Sequence, residues 1–335
     1  MSELRRDPII GRWNIIETEI PAGPETFEVE PHGSLSGGTC PFCAGNEAMT
    51  PPELHAVRPP GSAPNSAGWS LRVVSNKFPA LKIEGDLERR GLGVFDLSNG
   101  VGAHEVIIET PRHERQMADL TLAEMTSVIG AYKARSLDLR GDRRLKYTLI
   151  FKNYGTAAGA SLEHSHSQLI ALPIVPKRVH EELQGGERYF EFRERCAYCD
   201  MISQEMQERE RVISDNRSFV AICPFMSSFP FELWILPKQH GSDFGQLSAE
   251  AAGDLARILK ETLVRLRAGL SDPAYNFIIH TAPTDNRVGD QYHWHLELIP
   301  KLTKIAGFEW GTGFYINPTS PEFAAGILRD AALSA

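Results

Sequence analysis

The alternation of apolar and polar positions is clearest in the middle of the chain. Tyr147-Thr148-Leu149-Ile150-Phe151 predicts one strand and Leu169-Ile170-Ala171-Leu172-Pro173 another. Between them His164, His166 and Gln168 follow at a spacing of two. On a strand that spacing places all three side chains on one face. Upstream, Leu71-Arg72-Val73-Val74 predicts a strand continued through a bend by residues 75–81. Residues 102–110 predict another, ending at Pro111-Arg112-His113. Leu122, Met125, Val128, Ile129 and Tyr132 recur at helical spacing, on a helix reaching Arg140. Thr121, with Glu124 three positions on, supplies its capping box. Residues 4–20 read as a turn and a short strand. Residues 21–39 and 51–68, rich in Pro, Gly and Ser, read as loops.

The second half replays this order. Residues 215–222 and 231–240 read as strands. A helix carries Leu255, Ile258, Leu259 and Leu263, and residues 276–280 and 293–300 read as strands. His113 and His164 are 51 residues apart, His240 and His293 are 53 apart, and each half contains one His-x-His. The pattern predicts two copies of one α+β unit, residues 1–180 and 181–335, divided within the charged stretch 176–195 that contains Gly185-Gly186.

Composition narrows the setting. The 335 residues are 42% apolar, enough to bury sizeable cores. There is no apolar run of about 18 residues, the length of a membrane span. The start, Met1 to Asp7, lacks the apolar core of a signal peptide, so a cytoplasmic enzyme is expected. A net charge of -8 argues against a general nucleic-acid binder, while leaving room for a local cationic pocket.

Four of the five cysteines form two pairs of equal spacing, Cys40-Pro-Phe-Cys43 and Cys196-Ala-Tyr-Cys199; Cys223 is left over. Neither pair reads as following a strand and opening a helix, which disfavours a thioredoxin-like redox site. Each half does offer two thiols and two distant imidazoles, the donor set of a closed structural zinc site. The first set is Cys40, Cys43, His113 and His164; the second is Cys196, Cys199, His240 and His293. Packed, unmetallated thiols would not explain why all four donors recur. His32, His55 and His180 read as solvated loop residues.

Metal held by His164 would anchor the strand that presents His166. The loop Asn153-Tyr154-Gly155-Thr156-Ala157-Ala158-Gly159-Ala160-Ser161 precedes it, and its glycines allow backbone N–H groups close to an anion. In the second half Glu297 stands two residues after His295, where the first half has Gln168. A carboxylate there would repel phosphate. Chemistry is therefore expected at His166, with His295 structural or in contact with substrate.

These residues resemble the galactose-1-phosphate uridylyltransferase family of the histidine-triad superfamily. The resemblance rests on Cys40-Pro-Phe-Cys43, residues 76–81, Pro111-Arg112-His113, residues 159–168 and Tyr292-His293-Trp294-His295. The tail from Gly307 to Pro318 and the second Cys pair are similar to the ADP-glucose phosphorylase branch. The resemblance implies a tandem pair of histidine-triad-like units with mainly antiparallel sheets and flanking helices, assembled as a homodimer. It also implies ping-pong transfer of a nucleotide from a nucleotide sugar to a sugar 1-phosphate, or to inorganic phosphate in the phosphorylase branch. His166 would be the nucleophile and Gln168 its partner at the phosphoryl group. Asn153, Gly155, Gly159 and Ser161 would contact phosphate, and Asn76 and Phe78 the nucleoside. UDP-glucose:hexose-1-phosphate uridylyl transfer is the first expectation, with ADP-glucose phosphorolysis as the alternative. A dinucleotide hydrolase and an inactive zinc-stapled binder are the other classes to exclude.

Two departures stand out. Where the family has arginines near the first strand, residues 17–24 have none, and Arg12, Lys152, Lys301 or Lys304 are the available substitutes. Glu182 and His280 resemble ligands of a second metal site in other members, an arrangement the Cys196/Cys199 pair disfavours.

Overall fold

The computed structural model describes residues 2–30, 39–284 and 288–333. His32 and residues 285–287 of the approach to His293 lie outside them. In chain order the elements are β1 (Ser2–Arg6), β2 (Trp13–Glu17), β3 (Glu53–Val57), β4 (Leu71–Ser75), β5 (Arg90–Leu92), β6 (Phe95–Leu97), β7 (Ala103–Ile108), α1 (Leu122–Leu139), β8 (Tyr147–Tyr154) and β9 (His166–Leu172). There follow α2 (Lys177–Arg193), α3 (Ala197–Glu208), β10 (Val212–Asp215), β11 (Phe219–Ile222), β12 (Leu233–Pro237), α4 (Ala249–Leu270), β13 (Tyr275–His280), β14 (His295–Pro300), α5 (Gly307–Thr312), β15 (Tyr315–Asn317) and α6 (Pro321–Asp330). This is the α+β class expected.

Ten strands form one sheet in the order β10-β11-β12-β14-β13-β8-β9-β7-β4-β3. Outward from the centre, each half repeats one order: β8, β9, β7, β4, β3 on one side and β13, β14, β12, β11, β10 on the other. The halves join where β8 and β13 pair antiparallel, with Asn153 opposite Asn276. The pairing within each half is antiparallel throughout.

One face of the sheet is covered by α1 and α4. Met125, Val128, Ile129 and Tyr132 of α1 and Leu255, Ile258, Leu259 and Leu263 of α4 share a core with alternate strand residues such as Val73, Ile107, Leu169 and Phe277. Thr121 caps α1 as expected, accepting from the Glu124 N–H while the Glu124 carboxylate accepts from the Thr121 N–H. The opposite face carries two smaller cores. Phe42, Trp69, Val74, Val106 and Ile108 form one; Tyr198, Val220, Ile222, Trp234 and Leu236 belong to the other. The His-x-His pairs emerge on that face.

The structure corrects several local expectations. Residues 177–193, within the expected divide, are helix α2, and its two glycines are packing residues. A Cβ on Gly185 would fall 1.9 Å from the Ile9 carbonyl oxygen, and one on Gly186 would fall 2.4 Å from that of Gln291. Residues 215–222 are not one strand. Asn216 turns the chain between β10 and β11, its Oδ1 accepting from the N–H groups of Ser218 and Phe219. His55 lies on β3 and His180 on α2, not on loops. The first residues turn back on the chain's far end: β2 pairs parallel with β15, and Arg5 pairs with Glu322 of α6. Among the described residues no helix is long and apolar enough to cross a membrane.

Candidate active site

The two expected ligand sets are each drawn together. The donor atoms of Cys40, Cys43, His113 and His164 lie within 4.8 Å of one another, as do those of Cys196, Cys199, His240 and His293. In the first set Cys43 Sγ is 3.5 Å from His113 Nδ1 and 3.6 Å from His164 Nδ1, with Cys40 Sγ 3.7 Å from the latter. In the second the corresponding distances are 3.4, 3.6 and 3.9 Å. Tetrahedral zinc, with Zn–S near 2.3 Å and Zn–N about 2.0–2.1 Å, needs S···N edges of about 3.5–3.6 Å. The tautomers fit as well. His164 Nε2 is 2.7 Å from the Thr110 carbonyl oxygen and His293 Nε2 is 2.9 Å from that of Pro237. A carbonyl only accepts, so Nε2 carries the proton in both rings and Nδ1 offers its lone pair to the thiol side. Cys196 does, against expectation, open a helix, as the N-cap of α3, but α2 rather than a strand precedes it.

His166 begins β9, opposite Ile108 of β7, and is 7% exposed. Its Nδ1 is 2.8 Å from the His164 carbonyl oxygen. The same donor–acceptor logic puts the proton on Nδ1 and leaves Nε2 with a bare lone pair. Burial, aided by the nearby Lys152 cation, pulls the imidazole pKa below its ordinary value, so the ring is neutral near pH 7. His166 borders two cavities. The larger, about 440 Å³, is also lined by Phe42, Met49, Asn76, Phe78, Ser161 and Gln168. The smaller, about 170 Å³, is lined by Asn153, Gly155, Thr156 and Ala160 among others. Gly155 and Gly159 sit at φ +80° and +86°, conformations open to glycine at little cost, and bracket the turn between β8 and the His-x-His. Gly159 itself lines neither cavity, but supports the turn.

Beneath this face lies a buried polar network that the sequence does not announce. Lys152 Nζ donates to Glu109 at 2.8 Å, to the His166 carbonyl oxygen at 2.9 Å and to Ser165 Oγ at 3.1 Å. Glu109 also accepts from Ser165, Ser167 and Tyr132. All three ammonium protons of Lys152 are thereby engaged, so it cannot clamp substrate. Arg12 donates to Ser228 and lies over the Tyr315 ring, while Lys301 lies over Phe229. His104 of β7 was not announced either; its Nε2 lies 2.8 Å from Gln168 Oε1. Its signal was a polar residue on the same strand face as Val106 and Ile108, two positions before Val106.

The second half shows what the site has lost there. Val106 pairs with Gln168; in the equivalent register Trp234 pairs with Glu297. Trp234, Tyr198 and His280 crowd His295, with ring centroids at 5.2, 4.9 and 4.7 Å. His295 is thus a packed core residue. Glu182, His280 and His295 do cluster. However, His280 Nδ1 is 3.1 Å from Glu182 and its Nε2 3.3 Å from Glu297. Burial alone would discharge the ring, but the two carboxylates outweigh it and lift the pKa to about 10. With a carboxylate beside each ring nitrogen, the charged imidazole forms a compensated ion pair that accounts for the cluster without a metal. Because the folded pKa is raised, this ion pair should stabilise fully below the ordinary 6.5 and be lost as pH rises toward 10. His280→Asn is therefore expected to flatten the alkaline fall in melting temperature; an unchanged pH slope between 6.5 and 10 would refute the charged assignment.

A neutral imidazole beside a glycine-bracketed turn suits transfer at phosphorus, and the protein is of the nucleotidyltransferase class. More particularly, the chain belongs to the galactose-1-phosphate uridyl transferase family, whose N-terminal domain matches residues 5–176 and whose C-terminal domain matches residues 150–312. It is 38% identical to ADP-glucose phosphorylase of Arabidopsis thaliana over 99% of this chain and 93% of that one. It is 29% identical to galactose-1-phosphate uridylyltransferase of Thermotoga maritima over 98% of each. The crystal structure of an Arabidopsis thaliana ADP-glucose phosphorylase with bound ADP-glucose superposes with a TM-score of 0.82 at 36% identity, covering 100% of both chains.

Proposed function

We propose that the protein moves an adenylyl group from ADP-glucose to inorganic phosphate through a covalent intermediate on His166. The observation that carries this reading is the 38% identity to an ADP-glucose phosphorylase across 99% of the chain, against 29% to the uridylyltransferase of Thermotoga maritima. Two features support it. The second Cys-Cys-His-His set converges as fully as the first. No arginine stands in residues 17–24 to clamp a second large phosphate ester, a loss that inorganic phosphate tolerates better. Nucleotidyl transfer is common to both branches; the nucleobase and the acceptor separate them. Uridylyl transfer between UDP-glucose and a hexose 1-phosphate is the second reading, favoured by the family as a whole.

In the first step His166 Nε2 attacks the α-phosphorus. An N–P bond forms, the bond from that phosphorus to the bridging oxygen breaks, and glucose 1-phosphate leaves with the electron pair. Nδ1–H remains bonded to the His164 carbonyl, which stabilises the positive ring of the intermediate. In the second step a phosphate oxygen attacks the same phosphorus, the N–P bond breaks, and His166 regains its lone pair. Gln168 donates from its neutral amide to a non-bridging oxygen and offers no base to activate water, which favours transfer over hydrolysis. Asn153 and Gly155 line the phosphate side, Gly159 supports its turn, and Ser161 lines the larger cavity with Asn76 and Phe78 on the nucleoside side. Zinc, one ion in each half, would staple the strand entries carrying His164 and His293. The first unit, residues 1–180, supplies the reacting groups, and the second, 181–335, completes the sheet and the substrate site. A homodimer in the cytoplasm, with neither membrane nor nucleic acid as partner, goes with this reading.

The test is exchange kinetics with ADP-glucose and UDP-glucose, each offered phosphate or galactose 1-phosphate. A kcat/KM preference for ADP-glucose with phosphate of about 100-fold, roughly 2.7 kcal/mol, is expected. An equal preference for UDP-glucose with galactose 1-phosphate would establish the second reading. Free nucleotide without exchange would indicate a hydrolase, and no turnover at all an inactive binder.

A further inference from the structure

Gln168 can help a transferring phosphoryl group only if the correct end of its amide faces it. The NH2 end attracts a phosphate oxygen and the carbonyl end repels it. The strand does not decide between the two, because they differ by a half-turn about the last side-chain bond. The neighbour that decides is His104.

His104 lies on β7, opposite Ile170 of β9, while Val106 lies opposite Gln168. His104 and Gln168 are therefore diagonal neighbours on one face of the sheet. The Ala80 N–H points at His104 Nδ1 at 3.2 Å. A backbone N–H only donates, so Nδ1 is the bare nitrogen and Nε2 carries the proton. Two groups approach that N–H, Gln168 Oε1 at 2.8 Å and Asn76 Nδ2 at 3.1 Å. Asn76 cannot accept it: the Phe78 N–H, donating to Asn76 Oδ1 at 2.9 Å, turns the amide so that its NH2, a donor, is the end facing His104. Gln168 Oε1 is left as the acceptor, and its NH2 must turn away from His104. The same residue holds the neighbouring loop, since its carbonyl accepts from the Asn76 N–H at 2.8 Å.

We propose that His104 is a positioning residue for the transfer: it fixes the Gln168 amide with its NH2 end free for the phosphoryl group, and ties that orientation to the segment 76–80, of which Asn76, Lys77 and Phe78 line the nucleoside cavity. The inference rests on the reading above that Gln168 meets the α-phosphate.

Three substitutions separate the roles of that ring. His104→Phe removes both ring hydrogen bonds. His104→Asn can still meet Ala80 but is too short to reach Gln168. His104→Gln places an amide donor near the position of Nε2. Each is made alone and with Gln168→Ala, and assayed with ADP-glucose and with UDP-glucose so that base preference does not mask the result. His104→Phe and His104→Asn are expected to lower kcat by about 10–100-fold with KM for the nucleotide sugar within about 3-fold, the scale of a misdirected transition-state donor. His104→Gln should recover most of that loss. With Gln168→Ala present, His104→Phe should add less than about 2-fold, because the group it positions is gone. Full additivity, or a wild-type kcat in His104→Asn, would overturn the proposal while leaving the nucleotidyl-transfer reading intact. A wild-type rate in Gln168→Ala would overturn both the role of Gln168 and this one. Melting curves exclude misfolding, and if His104→Phe does not fold, the Asn and Gln variants decide the matter by themselves.

Discussion

His166→Ala is expected to abolish nucleotidyl transfer, by at least about 10⁴-fold in kcat or roughly 5.5 kcal/mol, while leaving the fold intact. The ring is a nucleophile in this reading and not a ligand: its Nδ1 is spent on the His164 carbonyl, which leaves Nε2 unprotonated in a residue that lines both cavities. The variant should therefore keep both metal sites, near two zinc equivalents per chain. His164→Ala should behave differently, losing one equivalent as well as activity, since its Nδ1 faces the thiols of Cys40 and Cys43. His295→Ala, in a site already filled by Trp234, Tyr198 and His280, should change turnover of the folded enzyme by less than about 10-fold. Ordinary turnover in His166→Ala would show that the covalent mechanism is wrong. Metal content settled at zero, with all thiols reactive, would remove the zinc reading instead.

Glu109→Ala should produce the second large effect, this time on stability. Glu109 and Lys152 are both essentially inaccessible to water and form an ion pair at 2.8 Å. Removing the carboxylate leaves the ammonium buried without its counter-charge and deprives Ser165, Ser167 and Tyr132 of an acceptor. Breaking one side of a buried pair costs about 3–5 kcal/mol. Equilibrium denaturation measures it. Combining Glu109→Ala with Lys152→Met should recover much of the loss, because an apolar replacement leaves no charge to solvate. A loss below about 1 kcal/mol would mean the pair is not the strut described here. The pair also sets an acid limit. Burial pushes the Glu109 carboxyl up, but Lys152 and the hydroxyls hold it below the ordinary 4.5. Its contribution is present above pH 4.5 and is lost as pH falls through the lowered value.

The signals that survived folding were those with a local cause or with a pattern repeated in both halves. The helix from Leu122 was legible because its apolar positions repeat at helical spacing and Thr121 and Glu124 cap it within one turn. The convergence of each Cys-Cys-His-His set was legible because two Cys pairs and four histidines recur at nearly equal intervals in the two halves. The glycine turn before His166 was legible because a positive φ favours glycine. Features that failed depend on what lies across the fold. Gly185 and Gly186 looked like a linker because nothing nearby in sequence shows that Ile9 and Gln291 press on the helix. Lys152 looked available to substrate because its partner Glu109 is 43 residues away.

By itself the sequence determined the repeated α+β unit, the members of the two Cys-Cys-His-His clusters and the His-x-His face of the first half, since each follows from spacing along one strand or between two copies of one unit. Tertiary structure decided the rest. It joined the two halves through β8 and β13, brought the first strands to the chain's far end, and filled the second site with Trp234. It also assigned the protons: His164, His166, His293 and Gln168 each take their orientation from an acceptor or donor on another segment or on the backbone beside them. Hydrogen-bond direction depends on which group arrives opposite, and that is settled only when the strands pair.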